Sequence, residues 1–175
     1  MRGPLALLLL MPTLVPSFAA AIGEARAQGG GKVDRIEIIE AGIYRAETAS
    51  IKLAPGTATR QRNILSETKL LALTTRVEAK IGLHFGIRYR LVGRPSGATI
   101  KLISVTQYPA PGLKNPKADG SQLRGEHSLF ATIGQVNYRG YVFEQDWEIV
   151  PGSWTLELWD GKRKLISQTF DVIKP

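Results

Sequence analysis

The sequence predicts an all-β domain, a single antiparallel β-sandwich of about eight strands behind an N-terminal signal peptide. Three observations lead there. Apolar residues recur at period two, most clearly at Ile81, Leu83, Phe85, Ile87, Tyr89 and Leu91. No stretch joins a helix cap to apolar residues three and four apart over several turns. Gly, Pro and Asp turn signals separate the apolar runs at short intervals.

Arg2 precedes a mostly apolar run from Leu5 to Ile22, and small residues follow up to Ala25-Arg26-Ala27. This is the three-part layout of a secretory signal; cleavage is expected after Ala27, with Ala19-Ala20-Ala21 as the alternative. A membrane anchor would need about 20 apolar residues in a helix. Pro12 and Pro16 each remove a backbone donor from such a helix, and no basic cluster follows it. The expected organisation is a signal over residues 1–27, a flexible Gly-rich start over 28–32 and a sandwich over 33–175. A periplasmic or secreted location follows, with no stable membrane span after cleavage.

Val33 to Tyr44 reads as the first strand, then a short one near Ser50 to Leu53, closed by Ala54-Pro55-Gly56. Arg60 to Thr75 has room for one helical turn, and Leu70 to Val77 reads as a strand. Between Ile81 and Leu91 the apolar residues share one face, and Gly82, His84, Gly86, Arg88 and Arg90 share the other, as in a half-buried antiparallel strand. Gly82 and Gly86 predict a bulge or a place where another segment crosses closely. The strand stops at Gly93-Arg94-Pro95-Ser96-Gly97, and Thr99 to Tyr108 follows. Pro109 to Gly125 is too rich in Pro and Gly for a central strand and reads as a long exposed loop, a length that is more often functional than a short one. Ser128 to Gln135, Tyr138 to Trp147, Trp154 to Trp159 and Leu165 to Ile173 complete the set. Asp160-Gly161 joins the last two in a hairpin whose expected loop, Asp160 to Lys164, exceeds two residues. Parity places Trp154, Leu156 and Leu158 inside, with Thr155, Glu157 and Trp159 outside.

With the strands placed, Gly82 through Ile87 (GLHFGI), Tyr108-Pro109-Ala110-Pro111-Gly112, Gly140-Tyr141-Val142-Phe143, Pro151-Gly152-Ser153-Trp154 and Phe170-Asp171-Val172 carry a family resemblance. Over residues 33 to 173 the chain resembles the bacterial exported domain-of-unknown-function family DUF3859. The resemblance implies an immunoglobulin-like β-sandwich with no assigned activity, and it brings no catalytic residue with it.

The formal net charge of +8 favours anionic partners. For an exported chain these are an envelope protein or an anionic polysaccharide rather than nucleic acid. The charge serves solubility equally well. The absence of Cys excludes disulfides, thiolate metal sites and thiol catalysis. His84 and His127 are the two histidines. They fall short of a three-histidine metal site, and nothing in the sequence brings them together with Glu126, so no metal or cofactor is expected. There is no Gly-x-Ser-x-Gly elbow, and Thr57, Ser66, Ser121 and Ser153 sit in turns or loops, where hydroxyls serve the backbone.

Glu144, Asp146 and Glu148 share one parity and would crowd three charges on one strand face. Crowding raises a carboxyl pKa and suits acid and base work on a glycoside; it suits equally a solvated edge strand that repels pairing. Arg88 and Arg90, with Arg94 beyond, form a basic stripe able to grip phosphate or carboxylate, or to pair across strands with those carboxylates. Lys162, Arg163 and Lys164 form a second basic cluster. An exposed Trp159 offers a surface for stacking a sugar or anchoring a protein, or lies under a loop. The expectation is a non-enzymatic binding module with Arg88, Arg90, Arg94, Trp159, Lys114 and Lys117 as contacts. The alternatives are a carbohydrate-active enzyme using Glu144, Asp146 or Glu148, and a purely structural accessory domain.

Overall fold

The computed structural model describes residues 31–174, so the expected signal over 1–27 lies outside the described residues. Nine strands form two sheets: β1 (Lys32–Leu53), β2 (Gln61–Leu73), β3 (Arg76–Glu78), β4 (His84–Arg94), β5 (Thr99–Gln107), β6 (Arg124–Thr132), β7 (Val136–Val142), β8 (Gly152–Asp160) and β9 (Arg163–Ile173). The first sheet runs β2-β1-β4-β7 and the second β3-β9-β8-β5-β6. Neighbours are antiparallel, except that β3 lies parallel to β9.

The period-two pattern builds the core. Phe85, Ile87, Tyr89 and Leu91 of β4 are buried and face Leu102, Trp154, Leu156, Leu158 and Phe170 from the second sheet. Phe85 is central, with ring centroids 5.1 Å from Phe170, 5.5 Å from Phe143 and 6.0 Å from Trp154. Such a fully buried large side chain contributes about 1.5–3 kcal/mol. Ile81 precedes the strand and is exposed.

On the outer face Gly86 stands between Gly42 of β1 and Gly140 of β7, a row of three glycines across three strands. A Cβ on Gly86 would lie 2.4 Å from the Arg139 carbonyl oxygen, so the predicted close crossing at Gly86 is the approach of β7's own backbone. Gly82 instead occupies the left-handed region, with φ +81°, ahead of the strand.

The two strands expected at Val33–Tyr44 and Ser50–Leu53 are one. Arg45 to Ala49, polar or small, make no core contact, but their backbone pairs with β2 through Arg45↔Lys69 and Glu47↔Glu67. The helical turn expected within Arg60–Thr75 is likewise strand β2, because β1 offers it a continuous ladder. Beyond β4's reach, the two strands continue as an arm with register shifts at Glu47/Thr48 and Thr48/Ser50, irregularities that bend a ribbon.

The strand expected over Tyr138–Trp147 ends at Val142, and Asp146–Glu148 form a single 3-10 turn. Glu144, Asp146 and Glu148 therefore share no strand face. The last hairpin is tighter than expected. Asp160 pairs with Arg163, leaving Gly161 and Lys162 as a two-residue turn, with φ +57° at Gly161, the sign a type II′ turn requires at its first position.

The long loop between β5 and β6 is tied down rather than free. Leu113 is buried and bridges to Gln122. Asn115 Nδ2 donates to the Ala58 carbonyl at 2.8 Å, and Gln122 Nε2 to that of Gly56 at 3.0 Å. This loop thereby holds the tip of the arm.

Candidate functional site

One end of the sandwich interior is polar. Register places Ser104 and Thr106 of β5 on the core-facing side with Leu102; His127 of β6 pairs with Ser104. Arg139 of β7 pairs with Ile87, whose side chain is in the core, so Arg139 too points inward. The β1–β2 arm passes over these groups and leaves a cavity of about 440 Å³. Its walls are the β2 segment from Gln61 to Thr68, parts of β6 and β7, and the tyrosines Tyr89, Tyr108 and Tyr141. That volume is in the range of small-molecule sites.

Arg139 is the dominant charge. Only 6% of it is exposed. Its Nη2 donates to Thr106 Oγ1 at 2.5 Å, and its Nη1 to the Gly140 carbonyl. Nε is buried without a partner, and no carboxylate of the described residues forms an ion pair with it. Burial lowers its pKa, and the groups that oppose this are tyrosines. An uncompensated cation removed from water costs several kcal/mol. The hydroxyl of Tyr138, a residue that also borders the cavity but lies over Gly140 on the other face of β7, is likewise buried and unpartnered.

His127 feels this field. Its pKa falls to about 3 through burial first, then the charges of Arg139 and Arg62, so the ring is neutral at neutral pH. His84, on the outer parity of β4, is also lowered by burial, against the attraction of Glu144. Both histidines border the cavity, but neither acts on the other's charge. Glu126 pairs instead with Arg124 at 2.6 Å. Among the described residues no group of three His, Asp or Glu side chains is placed to hold a metal ion.

The cavity also has an acidic region. Tyr141 donates its hydroxyl to Glu148 Oε2 at 2.5 Å, while Oε1 is buried without a partner. Burial, aided by Glu144, raises the Glu148 carboxyl to about 7 against the hydrogen bond from Tyr141. Glu144 lines the cavity and accepts a bond from Asn63; Asp146 is exposed and outside it.

None of Arg88, Arg90, Arg94, Trp159, Lys114 or Lys117 lines this cavity. Arg88 pairs with Glu40 at 3.2 Å across β1 and β4, not with Glu144, Asp146 or Glu148. Arg90 and Arg94 are exposed on the outer face, as are Lys114 and Lys117 in the loop. Trp159 is half-buried: its Nε1 donates to Glu157 Oε2 at 2.9 Å, and Lys164 Nζ lies 5.2 Å from the ring centre. Glu157, expected outside, is buried because Trp159 and Lys164 cover it. Arg163 is committed to the carbonyls of Val33 and Asp34. Sequence reasoning passed over Arg139. Its signal was parity, since it alternates in step with Tyr141 and Phe143.

Two face-to-face sheets of four and five strands define the class, an immunoglobulin-like β-sandwich. A crystal structure of an immunoglobulin-like protein from Pseudomonas aeruginosa is similar, with a TM-score of 0.51 and 26% identity over 84% of this chain and 99% of that one. The chain belongs to the family described as domain of unknown function DUF3859, whose profile matches residues 32–172. A search of curated proteins finds no match.

Proposed function

We propose that the domain is a non-enzymatic binding module of the bacterial envelope, periplasmic or secreted, that holds its ligand beneath the β1–β2 arm. One observation carries this reading: the cavity wall includes Arg139, a buried cation whose Nε the protein leaves unpaired and whose charge meets no carboxylate among the described residues. Native folds rarely leave such groups unsatisfied, and a binding role accounts for them. The chain's formal net charge of +8 favours an anionic envelope component such as an acidic polysaccharide.

Native mass spectrometry of the protein mixed with size-fractionated envelope extract tests this. The parent should acquire a discrete adduct. The Ser66→Trp variant, whose new ring fills the cavity from an exposed arm position, should not. No adduct on the parent, or an equal adduct on the variant, overturns the reading.

The raised pKa of Glu148 close to Glu144 favours a second reading, a hydrolase using Glu148 as its acid. Product release from envelope polysaccharide, abolished in Glu148→Gln, would establish that reading in place of the first.

A further inference from the structure

We infer that the cavity recognises a small oxyanion, the carboxylate of a sugar acid or the phosphate of a sugar phosphate, through the Arg139 guanidinium. The inference rests on the binding reading above and names the chemistry of its ligand.

A guanidinium presents donors in a planar fork that matches carboxylate and phosphate oxygens. In Arg139 only Thr106 Oγ1 and the Gly140 carbonyl accept from that fork, and both are neutral. The remaining charge has no acidic partner, although Glu144 and Glu148 line the same cavity. Glu144 is bonded to Asn63 and Glu148 to Tyr141. Neither appears among the charges that act on Arg139. Arg62, also lining the cavity, adds to the positive potential that Arg139 imposes on His127. An anion placed against Arg139 would supply the missing counter-charge, and the low dielectric of the site strengthens that attraction.

The rest of the ligand follows from the other walls. The Thr57 and Thr59 hydroxyls donate to backbone carbonyls and Asn63 Nδ2 donates to Glu144, so what these lining residues present to a ligand is acceptor oxygen, which suits sugar hydroxyls. Glu144 and Glu148, which also line the cavity, would accept from hydroxyl groups of such a ligand. A volume of about 440 Å³ accommodates a sugar ring with its charged substituent.

The test uses glucuronate, glucose 1-phosphate, inorganic phosphate and neutral methyl glucoside as probes, read by calorimetry and by NMR titration of the His127 ring. Glucuronate or glucose 1-phosphate should bind at least about tenfold tighter than methyl glucoside, and whichever is tighter separates carboxylate from phosphate. Binding should raise the His127 pKa, because the anion offsets Arg139. Arg139→Met, close in volume and freed of the buried charge, should fold and bind about a hundredfold more weakly. The His127 titration needs only the parent, so it decides the matter even if Arg139→Met is unfolded. An unmoved His127 pKa with every anion at millimolar concentration overturns the inference, as does undiminished binding by a folded Arg139→Met. Methyl glucoside binding as tightly as glucuronate, and lost in Ser66→Trp, sinks the anion assignment while the cavity reading stands. Adducts indifferent to Ser66→Trp sink the cavity reading itself.

Discussion

Asn63 Nδ2 donates to Glu144 Oε1 at 2.7 Å across a sequence separation of 81 residues, fastening β2 to the segment that follows β7. This bond latches the arm over the cavity. Removing it in Glu144→Ala should cost about 1 kcal/mol locally. Amides of residues 61–68 should then exchange with solvent about five to tenfold faster, with those of β4 unchanged. Equal exchange in parent and variant would show that the ladder with β1 alone holds the arm.

Glu148 makes stability depend on pH in an unusual direction for a carboxylate. Its folded pKa, about 7, lies above the ordinary 4.5, so the folded state retains the proton longer. The associated stability is full below about pH 4.5 and is lost as pH rises through 7. Glu148→Gln should flatten that limb and raise stability at pH 8 by about 2 kcal/mol, measured by urea denaturation at several pH values.

His127 acts with the opposite sign. Its folded pKa of about 3 lies below the ordinary 6.5, so its contribution is complete above 6.5 and disappears as pH falls toward 3. His127→Gln should remove roughly 3 kcal/mol of acid sensitivity. Between about pH 4.5 and 6.5 the two groups oppose each other, and only the single variants separate them. An unchanged acid limb in His127→Gln would place the titrating group elsewhere.

Gly86→Ala should destabilise by about 3 kcal/mol, because its Cβ would meet backbone on β7, 2.4 Å from the Arg139 oxygen and 2.5 Å from the Gly140 Cα. Neither can rotate away. Gly82→Ala has open space around its Cβ and pays only for the left-handed backbone, about 1 kcal/mol. A thermal melt of the two variants ranks them.

The sandwich was legible because Phe85, Ile87, Tyr89 and Leu91 advertise a buried face at period two, and the Trp154, Leu156 and Leu158 parity held for the same reason. β1 was read as two strands because Arg45 to Ala49 bury nothing. Backbone pairing alone keeps such a stretch extended, and it leaves no hydrophobic trace. The carboxylates misled through the assumption of one continuous strand; the 3-10 turn at Asp146–Glu148 sends Glu148 inward and Asp146 out. Arg139 escaped notice because a charge is read as solvent-facing by default. Only the register with Ile87 reveals that it is not. The basic stripe was visible, but its neighbour Glu40 was not, since strand order is a long-range property.

β2 supplies no residue to the hydrophobic core, whereas the floor beneath it is built on core strands. Roof and floor are therefore under different selection. Substitutions in Gln61 to Thr68 reshape what fits below without touching the Phe85 cluster, so descendants of this domain are free to exchange one ligand for another by altering a peripheral ribbon while the folding determinants stay fixed.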